Sequence, residues 1–120
     1  MIIDLHSADQ WGAIDELVDS LVATKEIASG DRESIIAAIT KREKSMSTGI
    51  GRGIALPHTA TDLVSEVVFA MGRSKTGIYF ESSDAQPVHR VILFLVPTGQ
   101  YKKHLHILAD MARLAQETEF

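Results

Sequence analysis

The residues best equipped for chemistry in this chain are five histidines, His6, His58, His89, His104 and His106, in a sequence without cysteine. An imidazole with an ordinary pKa of about 6.5 keeps a neutral nitrogen lone pair near neutral pH, so it can act as nucleophile, general base or metal ligand. The lack of cysteine excludes a disulfide scaffold, a Cys-ligated zinc site and a thiol nucleophile. His58 has the most informative setting. It follows Gly51-Arg52-Gly53-Ile54-Ala55-Leu56-Pro57, a glycine-rich loop running into a short apolar segment and a proline. Glycine permits close backbone approach, and proline stiffens the chain just before the ring. This pattern places His58 at a strand end, where α/β sheets put their sites. Periodicity alone leaves two readings open: a presented reactive imidazole, or one that only closes the strand.

The other candidates are weaker. His104 and His106 are two residues apart on an expected helix, about 200° around its axis, so they face opposite ways. His104 falls on the side of Leu108 and Met111, toward the packed face, and His106 faces water. A shared helical metal site needs a spacing of three or four. A zinc site from His58, His104 and Asp62 has no supporting motif spacing. Ser45, Ser47 and Thr48 lie in a loop without a G-x-S-x-G elbow. The glycines Gly49, Gly51 and Gly53 lack the G-K-[ST] ending of a nucleotide-binding loop. Arg52 and Arg73 can serve as phosphate ligands only if they share a cleft with His58; otherwise they are solvated surface residues.

The elements that must position these groups are legible in outline. Ser7 and Gln10 are spaced as a capping box. Trp11, Ile14, Leu17, Val18 and Leu21 then form one apolar helical stripe. Ser29-Gly30-Asp31 breaks the chain and caps a second helix, carried by Ile35, Ile36 and Ile39 and closed by the charged run Lys41-Arg42-Glu43-Lys44. Ser45 to Gly53 reads as loop. Strands are expected at Ile54–Leu56, stopped by Pro57, at Val67–Met71 and at Ile78–Phe80. Asp84 to Pro87 reads as a turn. Val91 to Val96 is a continuous apolar run, the signature of a strand covered on both faces. A third helix follows over Leu105, Leu108, Met111, Ala112 and Ala115. Two helices, then strands, then a helix predict a sheet with helices on both faces.

Composition limits the function classes. The 120 residues fit a single domain with 45% hydrophobic and 23% charged content, an ordinary globular mix. A formal charge of −4 and the absence of a basic block argue against a nucleic-acid surface. No apolar run approaches the ~20 residues needed to span a bilayer, and the N-terminus lacks the form of a signal peptide. A cytoplasmic location is expected.

The run Glu43-Lys44-Ser45-Met46-Ser47-Thr48-Gly49-Ile50-Gly51-Arg52-Gly53-Ile54-Ala55-Leu56-Pro57-His58 closely resembles the active-site signature of type-2 EIIA domains. These are the fructose/mannitol and nitrogen-regulatory branch of the bacterial phosphoenolpyruvate-dependent sugar phosphotransferase system. A second stretch agrees: Asp84 to Val88, the strand Val91 to Pro97, and His104-Leu105-His106-Ile107-Leu108. The resemblance implies an α/β (α+β) fold, a three-layer α/β/α sandwich around a mixed central sheet. It implies more helix beyond Phe120, so residues 1–120 are expected to be one such domain lacking its C-terminal part. It implies that His58 accepts a phosphoryl group from an HPr-like carrier and passes it to an EIIB domain, whose acceptor is typically a cysteine. His104 matches the family's second histidine and would stabilise the phosphoryl oxygens. Arg52, in the signature loop, would offset phosphoryl charge or contact a partner. Thr59 stands where the family has Gly, Ala or Cys; its bulk could narrow partner access, or its hydroxyl could bind the phosphoryl group. The scheme needs no cofactor or metal. Two alternatives remain open: a regulator of the nitrogen-EIIA kind, whose phosphorylation state selects its partner, and an EIIA-like module that is never phosphorylated.

Overall fold

The computed structural model describes residues 2–45, 49–51, 53–80, 87–99, 110 and 113. Its elements are β1 (Ile2–Asp4), α1 (Gln10–Ala23), a 3₁₀ turn (Ser29–Asp31), α2 (Arg32–Ser45), β2 (Gly49–Gly51), β3 (Ile54–Ala55), β4 (His58–Thr61), β5 (Val68–Ile78) and β6 (Val88–Pro97). The strands form one sheet in the order β1-β5-β6-β3-β2, with β4 also on β6. It is mixed: β5 runs antiparallel to β6, whereas β3 and β4 run parallel to it. The described residues thus form a mixed α+β sheet with helices.

The apolar run on β6 behaves as its composition requires. Val91, Leu93 and Leu95 enter a core with Ile14, Leu17 and Ile39 from the two helices. Ile92 and Phe94 enter a second cluster with Ile54 and Leu56. Alternation along the strand thus feeds both faces of the sheet. The third helix expected on the second face falls outside the described residues, apart from Asp110 and Arg113. Those two are helical and joined by an ion pair at 3.2 Å. The turn expected at Asp84 to Pro87 also lies outside them, apart from Pro87.

Several boundaries differ from the sequence reading. The cap of α1 is Asp9, not Ser7: its carboxylate accepts the Gly12 N–H at 2.8 Å. Ala8 and Asp9 are held extended by a bridge to Tyr79, whose N–H donates to the Ala8 carbonyl at 3.2 Å, so helical winding starts only at Gln10. Ser29-Gly30-Asp31 is a 3₁₀ turn rather than a side-chain cap. Trp11, expected on the buried stripe, is 37% exposed. The edge strands β1 and β2 are too short to show a periodicity.

The two strand pieces expected at Val67–Met71 and Ile78–Phe80 belong largely to one strand, β5, interrupted by a bulge. Arg73 pairs with Arg90 and Ile78 with Val88, so Ser74 to Gly77 stand opposite His89 alone. The buried Ser74 accepts the Gly77 N–H on its Oγ at 3.0 Å. Gly77 has φ of +92°, and a Cβ there would lie 2.8 Å from Pro87 Cβ. Gly77→Ala is therefore expected to cost about 1–3 kcal/mol, from a left-handed backbone and local overpacking together. Urea titration checks this; an unchanged midpoint would contradict it.

Candidate functional site

The chain from Ile54 to Thr61 runs along one edge of β6. β3 pairs at Arg90 and Val91, and β4 pairs from Phe94 to Pro97. Pro57 lies between them and lacks an N–H, but its carbonyl accepts the Phe94 N–H at 3.0 Å. The strand is therefore interrupted rather than ended at Pro57. His58 opens a new four-residue strand instead of closing one. Among the described residues only β6 pairs with β4, so His58 stands on a sheet edge beside the C-terminal turn of α2.

The half-buried imidazole is fixed at both nitrogens. Nδ1 lies 2.8 Å from the Leu56 carbonyl, an acceptor only, so Nδ1 carries the proton and donates. This leaves the lone pair on Nε2, which accepts the Nε–H of Arg42 at 3.1 Å. Burial, first, holds the imidazole below its ordinary pKa. The Leu56 carbonyl opposes this, Arg42 lowers the value further, and Glu43 raises it. The result is a neutral ring of fixed tautomer, with its nucleophilic nitrogen facing a guanidinium.

A pH prediction follows from this lowering. Neutral imidazole is the form that folding favours, so its contribution to stability is complete above the unfolded value of about 6.5. It is lost as pH falls through the folded-state value. NMR titration of the His58 ring is expected to give a midpoint below 6.5, the ordinary histidine value. A midpoint at or above that value would refute the assigned environment.

The remaining sequence candidates separate clearly. Thr59 is buried and pairs with Leu95 of the helix-side core, while His58 pairs with Phe94 of the other cluster. Its side chain thus leaves the opposite face of β4, with Oγ1 set 3.4 Å from the Ala60 carbonyl. This placement does not favour a hydroxyl contact to a group on Nε2. Arg73 is held by Asp4 of β1 at 2.8 Å, on β5 beyond β6 from β4, and lines a cavity with Asp4, Leu5, His6, Lys75 and Thr76 rather than with His58. His89 points Nδ1 at the Ser74 carbonyl, 2.8 Å away in the bulge. Arg52, His104 and His106 lie outside the described residues. Among the described residues no group of three His, Asp or Glu could hold a metal ion, and no helix is long and apolar enough to cross a membrane.

Sequence reasoning missed Arg42. It lies in a charged run that reads as a solvated helix end, and no helix or strand period relates it to His58 sixteen positions on. The available signal was the neighbouring Glu43, the acidic residue of the signature, which is only 4% exposed. A run whose middle member is buried turns one face inward.

The class is that of a mixed α+β sheet which presents, on its edge, a tautomer-fixed imidazole beside an arginine. The whole chain, residues 1–120, matches the family model described as "Phosphoenolpyruvate-dependent sugar phosphotransferase system, EIIA 2" and belongs to that family. It is 37% identical over 117 residues to the PTS system fructose-specific EIIABC component of Bacillus subtilis, covering 98% of this chain and 18% of the relative. It is 40% identical over 107 residues to the nitrogen regulatory protein of Escherichia coli K12, covering 86% of this chain and 63% of the relative. The chain therefore spans less than two thirds of either relative. Its fold is similar to that of the nitrogen regulatory protein IIA-Ntr from Neisseria meningitidis (TM-score 0.81, 25% identity, 92% of this chain and 74% of that one). It is also similar to the Escherichia coli complex of enzyme IIA-mannitol with phosphorylated enzyme IIB-mannitol (TM-score 0.71, 20% identity, 91% of this chain and 76% of that one).

Proposed function

We propose that this chain is a cytoplasmic phosphoryl carrier. Nε2 of His58 takes a phosphoryl group from a phosphorylated HPr-like protein and yields it to an EIIB domain. The observation that carries this reading is the pair of contacts on one ring, Nδ1–H to the Leu56 carbonyl and Nε2 to Arg42. In the first step the Nε2 lone pair forms a bond to phosphorus as the donor's bond to phosphorus breaks. The released electron pair stays with the donor, and the His58 proton remains on Nδ1, donated to Leu56. In the second step a nucleophile of EIIB, typically a thiolate, bonds to phosphorus as the Nε2–P bond breaks. Phosphoryl transfer asks mainly for in-line positioning and charge stabilisation. Arg42 is placed to turn its donors from the lone pair to the phosphoryl oxygens. By resemblance His104 would add a further donor, and Arg52 would offset charge or meet the partner. Thr59 is read as a packing residue. The EIIA–EIIB complex among the structural neighbours supports the choice of acceptor.

The experiment is incubation with enzyme I, HPr and phosphoenolpyruvate. The expected product is an acid-labile, base-stable phosphoryl adduct. No adduct from a cognate carrier would overturn the reading and leave a binding module that is never phosphorylated. Relatives named nitrogen regulatory protein favour a second reading, in which the phosphorylated state selects a target and moves no sugar. The labelled protein separates the two: discharge onto a cognate EIIB supports transport, and retention of the label supports regulation.

A further inference from the structure

The cavity that Arg73 lines has a volume of about 340 Å³ and lies between the end of β1 and the bulge of β5. The phosphoryl scheme makes no use of it. Away from His58 an arginine is expected to be a solvated surface residue, but Arg73 is not placed like one. Register sets it beside Asp4, whose Oδ1 accepts its Nε–H at 2.8 Å, and its carbonyl accepts the Leu5 N–H at 2.8 Å. The guanidinium is thus aimed from its Nε side. Among the described residues its two Nη groups have no hydrogen-bond partner, and neither do Lys75 Nζ and Thr76 Oγ1. Lys75 and Thr76 are carried by the bulge, which Ser74 Oγ closes by accepting the Gly77 N–H. Arg73 above all, through its hydrogen bond and its charge, and then Lys75 and His6 hold the Asp4 carboxyl below the usual carboxylate range. Three basic side chains therefore converge on the position of one oxyanion.

With Asp4 set against Arg73, the charge of Lys75 is left over on the walls. The donors on offer are the outer edge of a guanidinium, an ammonium and a hydroxyl. A carboxylate has two oxygens, and the guanidinium fork alone satisfies them. A phosphate group has three terminal oxygens and a charge of about −1.5 to −2 near neutral pH, so it engages fork, ammonium and hydroxyl together. We propose that this cavity binds the phosphate group of a small molecule. The Nη groups of Arg73 and the Nζ of Lys75 hold its oxygens, Thr76 donates its O–H, and Asp4 keeps the guanidinium aimed. The ligand is inorganic phosphate or a small phosphomonoester. This position is separate from the phosphoryl acceptor. Arg73 stands opposite Arg90, four residues before the Phe94 that pairs with His58, so the two sites are about 13 Å apart along β6 and flank it on opposite sides. The inference does not rest on phosphoryl transfer to His58.

The test is an NMR titration of the isotope-labelled full chain with sodium phosphate, glycerol phosphate, sodium acetate and sodium chloride, at fixed pH and ionic strength. The two phosphates are expected to move the Arg73 Nε–H signal and the Lys75, Thr76 and Gly77 amide signals saturably, with millimolar midpoints. Acetate is expected to bind at least about fivefold more weakly, and chloride not to saturate. Lys75→Gln is expected to raise the phosphate midpoint about three- to tenfold, and Arg73→Gln at least as much. Asp4→Asn keeps an oxygen for the Arg73 Nε–H and removes a negative charge, so it is expected to lower the midpoint by a similar factor. A merely structural ion pair would give no such gain. A lower midpoint for glycerol phosphate assigns the site to a phosphomonoester, and an equal or lower one for inorganic phosphate assigns it to the free ion. Acetate or chloride responses equal to those of phosphate, an unchanged midpoint in Lys75→Gln or Asp4→Asn, or shifts centred on His58 instead of this cavity would overturn the proposal. Phosphoryl labelling of the same protein preparation would be unaffected by that failure.

Discussion

Replacing His58 by alanine is expected to abolish phosphoryl labelling, a loss on the order of a thousandfold or more. The nitrogen that forms the bond to phosphorus is removed outright, and no partial substitute exists for a missing nucleophile. The structure argues against simple unfolding as the cause. His58 is only half-buried, on a sheet edge, and β4 is held to β6 by backbone pairing from His58 to Thr61 that alanine retains. His58→Gln is the sharper variant, because its amide fills similar space and has no nucleophilic lone pair at nitrogen. Both variants should melt close to the parent protein and carry no label. His89→Ala is the matching control. Its ring lies in the β5 bulge near the start of β6, whereas His58 pairs with Phe94 further along the same strand, so labelling should be unchanged. Full labelling of His58→Ala would move the acceptor to another imidazole and undo the site.

How much of this was visible in the sequence depends on the range of the interaction. The helical stripes at Ile14, Leu17, Val18 and Leu21 and at Ile35 and Ile39 were legible because period and burial are the same fact on a helix packed on one side. The run from Val91 to Val96 announced a central strand because both its faces are covered. The stiff mounting of His58 was legible in part, since a glycine loop and a proline leave few ways to place the next residue, but the pattern left its role open. Where the reading failed, a contact between distant segments decided the outcome. The bridge of Asp9 to Tyr79 moved the helix cap from Ser7. The Pro57 carbonyl, by accepting from Phe94, let the strand continue through a residue that usually stops one. Arg42 reaches His58 from a different element, and local pattern carries no trace of such a contact. The family resemblance covered part of that gap by marking Glu43 beside it, but the guanidinium itself emerged only from the fold.

Replacing Arg42 by glutamine is expected to slow phosphoryl acceptance about 10²- to 10³-fold, the usual consequence of losing one preorganised charge-stabilising donor. Two opposing effects must be weighed. Arg42 now occupies the Nε2 lone pair at 3.1 Å and lowers the ring's pKa, so its removal frees and strengthens the nucleophile. A gain of even one pKa unit changes the rate by at most about tenfold, because attack follows basicity with a fractional dependence. The transferring group spreads its charge over three oxygens, and a guanidinium already within hydrogen-bond reach answers that charge without reorganisation. Stabilisation of the transferring group therefore outweighs nucleophilicity. Arg42→Lys should recover part of the rate, since a point charge returns without the planar fork. The same variants have a readout that a purely structural role would not produce. With the Arg42 charge removed, the His58 titration midpoint should move upward in Arg42→Gln and return downward in Arg42→Lys, while the melting transition stays in place. Labelling of Arg42→Gln at or above the parent rate would reverse the assignment. The guanidinium would then be a cap that restrains the lone pair until a partner displaces it, and stabilisation of the phosphoryl group would fall to residues beyond α2.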